Sequence, residues 1–178
     1  MSVRRVVAAR KDGKDGILAD GAAPRHHDFE HIPQMAQTLV WATGPNDDMA
    51  AASVDRSTEV TSLVPEPGGT LFFKISFPPQ TVMQSADFDP QAAGAEQAAA
   101  QPGLAELFDP DSPGKHRTPT IDYVVVTEGE IYLELDDEET KLVAGDVLVQ
   151  VGTRHSWSVR TDGPATIAAI VIGARESD

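Results

Sequence analysis

Residues 121–159 read "IDYVVVTEGEIYLELDDEETKLVAGDVLVQVGTRHSWSV", a series of β-branched and aromatic runs broken by Glu-Gly, Asp-Asp-Glu-Glu, Ala-Gly-Asp and Val-Gly-Thr. No other stretch restricts the fold as much. Val, Ile, Tyr and Trp suit a pleated, half-buried surface, and Gly beside an acidic residue marks a turn, so the run predicts short antiparallel strands with tight connections. In "EIYLELD", Ile131, Leu133 and Leu135 alternate with Tyr132, Glu134 and Asp136. That period of two sends one set to a core and the other to water. "DDEE" reads as a solvated hairpin tip, and "ATIAAIVI" as a closing strand.

The remainder divides by texture. Residues 1–77 carry short apolar runs, "RRVVAA", "GILAD", "TLVWAT" and "TLFFKISF", separated by Gly, Pro, Asn and Asp, which predicts N-terminal strands and an arm. Residues 78–115 turn to Ala, Gln and Pro and read as a loop insertion with one or two short helices, Pro102 standing in the first turn of "GLAELF". Residues 116–174 hold the strand series. At 178 residues the whole is expected to form one domain with a core large enough to need no covalent staples.

Composition excludes several functions. There is no cysteine, so disulfides and thiol nucleophiles are absent. With 28 acidic against 14 basic side chains the formal charge is −14, which repels phosphate backbones and anionic lipid heads. Neither nucleic acid nor a membrane is expected as a partner. The apolar stretch "VVAA" near the N-terminus is too short for a signal peptide or a span, so a cytoplasmic location is expected.

"HRTPTIDYVVVTEGEIYLEL" and "LVAGDVLVQVGTRHSW" resemble the two motifs of the cupin superfamily, most nearly the small single-domain cupins with a conserved barrel and an extended N-terminal half. Six residues separate Asp122 from Gly129, Gly145-Asp146 opens a strand, and Gly152-Thr153-Arg154-His155 closes the following turn. The resemblance implies an all-β fold, a jelly-roll β-barrel with a short helical or loop insertion, and a homodimer. It also implies a metal site of two histidines and a glutamate from the first motif and a histidine from the second. Carried over by position, His116 matches the first histidine and His155 the last, whereas Thr118 stands for the second histidine and Asp122 for the glutamate.

In an extended segment His116, Thr118, Thr120 and Asp122 share one face. Two imidazoles and a carboxylate are ligand types for iron, zinc or manganese, although Asp is a methylene shorter than Glu and threonine is a poor ligand. The candidate catalytic and metal residues are therefore His116, His155 and Asp122, with Thr118, Thr120, Tyr123 and Trp157 as pocket residues and no other cofactor-binding group. Trp157 fits a pocket wall or plain core packing. Arg154 has the opposite parity to His155 and is a weaker candidate, for a substrate carboxylate. "PRHHDFEHIP" adds His26, His27 and His31, the last two spaced as on a helix face but between prolines that favour a surface loop.

Two functional classes remain open. One is a small-molecule enzyme, metal-free and using general acid/base chemistry such as dehydration, isomerisation or decarboxylation, or metal-dependent as in a dioxygenase. The other is a non-catalytic ligand-binding or structural cupin. The substrate expected in either case is a small, hydrophobic or aromatic organic molecule, because valines of "DYVVV" and "DVLVQV" would line the pocket.

Overall fold

In a computed structural model, which describes residues 2–112 and 114–176, strands dominate and one α-helix interrupts them. The strands are β1 (Arg4–Lys11), β2 (Lys14–Ala22), β3 (Arg25–Asp28), β4 (Ala36–Thr43), β5 (Thr70–Phe77), β6 (Thr120–Glu128), β7 (Glu130–Glu134), β8 (Glu139–Val143), β9 (Val147–Val151), β10 (Ser156–Ser158) and β11 (Ala165–Gly173). The helix is α1 (Pro90–Ala100).

Three separate sheets result: a β1-β2 ribbon, a three-stranded sheet β10-β7-β8, and a six-stranded sheet β3-β4-β5-β11-β6-β9. All pairings within them are antiparallel. The expected all-β jelly-roll β-barrel is thereby corrected: the architecture is mixed α/β, and each sheet is open. The reason lies where the two larger sheets approach. His116, ahead of β6, and His155, ahead of β10, form one isolated bridge. Pro119 follows, without an N–H to continue a ladder, and β10 is spent on β7 after three residues.

One face of the six-stranded sheet is the inner one. Registers align Leu39, Phe73, Ala169 and Val124 in one row across β4, β5, β11 and β6, and Ile75, Ile167 and Val126 in the next. Against them the smaller sheet packs Ile131, Leu142 and Trp157, with Ile131 fully buried. Further along, Val60, Leu63 and Leu104 from the connecting segments cover Leu39, Leu71 and Phe73. The predicted alternation in β7 holds for Ile131 and Leu133, both buried.

α1 starts where Asp89 accepts from the backbone N–H of Gln91 and Ala92, with Pro90 in the first turn, and an alanine-rich sequence continues it. Pro102 ends this helix instead of opening the next one. It biases Gln101 away from helical geometry (φ −124°), and "GLAELF" yields only a single 3-10 turn, Ala105–Leu107. His27 lies on β3 and His31 in the turn beyond it, so the two share no helix.

Gly129, in the Glu-Gly turn between β6 and β7, adopts φ +75°, and a Cβ there would sit 2.7 Å from Pro164 O. Gly129→Ala is expected to destabilise by about 1–2 kcal/mol through the left-handed backbone and that contact. Urea unfolding at constant m-value checks it.

Candidate functional site

The bridge that joins the sheets also forms the site. His116 N–H donates to His155 O and His155 N–H to His116 O, both at 2.9 Å. This mutual pairing sets the imidazoles side by side, with ring centroids 4.5 Å apart and planes inclined at 55°. Phe108 approaches His116 at 5.3 Å, and Trp157 meets His155 edge-on at 6.0 Å. His155 is only 4% exposed.

Each ring repeats the same local bond. Nδ1 of His116 donates to Gly114 O and Nδ1 of His155 to Thr153 O, each at 3.0 Å and each to the carbonyl two residues before. A proton fixed on Nδ1 leaves Nε2 as the basic nitrogen of both rings. The side-chain amide of Gln150 lies across the His155 ring, 2.6 Å from Nδ1 and 3.1 Å from Nε2. With Nδ1 already donating, the amide N–H is left for Nε2.

Asp122 and Gln150 are register partners across β6 and β9. Their acceptors Asp122 Oδ1 and Gln150 Oε1 are buried without a hydrogen-bond partner, as is Thr153 Oγ1. A proton on Asp122 would serve both facing acceptors, since opposite residues in such a pair lie within side-chain reach. Burial raises the Asp122 carboxyl above the usual carboxylate range, only partly offset by the Thr120 hydroxyl. It also lowers both imidazoles: His116 falls below its ordinary value, and His155 is pushed down to about 4 by burial first and by His116 second. At neutral pH the pair is therefore uncharged.

The structure thus brings together His116, His155 and Trp157, with Asp122 one strand away opposite Gln150. Thr118 and Thr120 are buried and bonded to each other, Oγ1 to Oγ1, at 2.7 Å. Tyr123 faces the other way, 48% exposed on the outer side of the sheet, as do Val125, Val147, Val149 and Val151. Arg154 is held by Asp109 and by Asp136, the latter at 2.7 Å, so it ties the insertion to the β7–β8 hairpin. Gln150 and Phe108 were not among the sequence candidates. Gln150 had a readable signal, a lone polar residue at an inward position of "DVLVQV".

The donors do not assemble as a metal requires. Among the described residues no three of His, Asp or Glu gather into a candidate metal group. His116 and His155 offer two nitrogens, while Asp122 is directed to Thr120 and the β9 side.

Residues 106–172 match the Cupin domain family model. The match is to this segment of the chain, and both histidines lie within it. Phomopsin biosynthesis cluster protein D of Diaporthe leptostromiformis is 53% identical over 47 residues, 26% of this chain and 25% of that protein. Oryzines biosynthesis cluster protein J of Aspergillus oryzae (strain ATCC 42149 / RIB 40) is 54% identical over 43 residues, 24% of each. The match thus spans about a quarter of the length of these curated relatives. Among solved structures, the Cupin_2 domain of an XRE family transcriptional regulator from Enterobacter cloacae is similar at TM-score 0.40 and 14% identity, over 80% of this chain and 99% of that one. A putative ethanolamine utilization protein from Salmonella typhimurium LT2 is similar at TM-score 0.44 and 12% identity, over 98% and 99%. No helix among the described residues is long and apolar enough to cross a membrane.

Proposed function

We propose that the His116–His155 site binds a small, flat organic substrate with a carbonyl group and moves a proton on it, as in dehydration, isomerisation or decarboxylation. The observation that carries this reading is the buried pair of neutral imidazoles, each with Nδ1 committed to a backbone carbonyl and Nε2 left basic. A neutral imidazole is a competent general base at pH 7, and Phe108 and Trp157 beside the rings suit an apolar or aromatic substrate. The relatives' names, which refer to biosynthesis clusters, support a role in small-molecule biosynthesis.

The test is solvent-deuterium incorporation, followed by NMR, into a panel of aromatic and aliphatic keto acids and enones. Incorporation by the wild type that is lost in His116→Ala and His155→Ala supports the reading. Saturable binding without incorporation by any panel member points instead to a ligand-binding cupin.

A homodimer is part of the same proposal. Phe72, Ile170, Tyr123 and Val149 form one register row on the outer face, next to Val125 and Val147, and all are exposed. The row ends on β9, an edge strand with apolar, exposed side chains. Such a patch is large for a free surface, and a two-fold copy would cover it with the same chemistry and pair the open edge. Val149→Lys is expected to halve the mass measured by light scattering; a wild type that is already monomeric would rule the dimer out.

A further inference from the structure

A cavity of about 220 Å3 lies between the inner face of β3–β4 and the C-terminal end of α1. Its walls include Arg25, His27, Gln37, Leu39, Ala99 and Ala100. β3 is the edge of the six-stranded sheet opposite to β9, and neither His116 nor His155 lines this cavity. The register pairs Arg25 with Leu39 and His27 with Gln37, which puts the four side chains on one face.

Arg25 bonds to backbone carbonyls from a part-buried position, whereas Arg10 and Arg117, which also bond to carbonyls, are exposed. Arg4, Arg5, Arg56, Arg154 and Arg160 each pair with a carboxylate. Among the described residues Arg25 has no such partner: its Nη1 donates to the backbone carbonyls of Val60 at 2.6 Å and Ser57 at 3.3 Å. Those bonds hold the guanidinium in place without neutralising it, and Nε and Nη2 remain available to a planar anion. His27, by contrast, is paired with Glu96 at 3.0 Å.

The opposite wall has the reverse character. The last carbonyls of α1 carry the negative end of the helix dipole. Behind them Gln101 Nε2 donates to Gln37 Oε1 at 2.7 Å, while Gln101 Oε1, in a residue 4% exposed, is buried without a partner. Leu39, Ala99 and Ala100 supply apolar surface between the two walls, and the alanines leave the space open.

We infer that this cavity binds a small carboxylic acid bearing an amino or hydroxyl group on the neighbouring carbon. Its carboxylate meets Arg25, its donor faces the acceptors at the end of α1, and a short apolar side chain rests on Leu39. Acid and donor are both required, because either wall alone attracts a different ligand.

Isothermal titration of the full chain with L-alanine, L-lactate, acetate and propylamine tests this. Saturable binding of L-alanine or L-lactate is expected, at least tenfold tighter than acetate or propylamine. Arg25→Lys, which keeps the charge but loses the fork, and Ala99→Leu, which fills the exposed mouth, should each weaken it at least tenfold. His155→Ala should leave it unchanged. If Arg25→Lys fails to fold, Ala99→Leu decides. Absence of binding by both acids, binding indifferent to Ala99→Leu, or binding lost in His155→Ala would each overturn the inference, the last by placing the ligand at the histidine pair.

Discussion

Replacing His155 with alanine is expected to slow proton exchange into a carbonyl substrate by about 10²–10⁴-fold, the usual contribution of a positioned general base. Thr153 O holds the Nδ1 proton, so the lone pair is on Nε2, where it accepts from the Gln150 amide and takes a substrate proton only in exchange for that bond. His116→Ala should fall in the same range, because the two backbones are paired and each ring forms part of the other's surroundings. Gln150→Leu should reduce the rate less and shift the pH profile, since Gln150 acts through His155. Unchanged exchange in both histidine variants would remove the site from the chemistry.

Acidification provides the second large effect. An imidazole has a pKa near 6.5 when unfolded, and that of His155 in the fold is about 4. Between those values the unfolded chain binds the extra proton, so stability rises with pH. The contribution is fully present above pH 6.5 and is lost as pH falls to about 4. At 1.36 kcal/mol per unit it amounts to about 3 kcal/mol, and His116 adds to it with the same sign.

Asp122 works in the opposite direction. Its folded carboxyl holds a proton to higher pH than the unfolded one, so its contribution is present below pH 3.8 and lost as pH rises through the raised value. Chemical denaturation from pH 7 to 4 should therefore show a fall that flattens in His155→Leu and steepens in Asp122→Asn. An identical pH dependence in wild type and His155→Leu would contradict the assignment.

The strand series was legible because its periodicity is local: Ile131 and Leu133 bury as their spacing requires. The juxtaposition of His116 and His155 followed from the cupin pattern, although their direct backbone pairing did not. Sheet closure was not legible. It depends on Pro119, on the brevity of β10 and on how far apart the sheets end, none of which has a period.

Pocket residues were legible only where parity was respected. Tyr123 is out of phase with Asp122 on the same strand and accordingly points outward. Gln150 was in phase but sits on a different strand, and nothing local connects it to His155. The Arg25 cavity was invisible for a similar reason. It needs β3, β4 and the end of α1 together, and the sequence keeps α1 more than sixty residues from β3.

The claim at the centre of this account is that burial keeps the histidine pair neutral at physiological pH. An NMR titration of the histidine Cε1–H resonances, assigned through His116→Ala and His155→Ala, measures it directly. A His155 midpoint near 4 and a His116 midpoint below 6.5 are expected. Midpoints at or above 6.5 for both would contradict it, because the rings would then be solvated or held charged by a carboxylate.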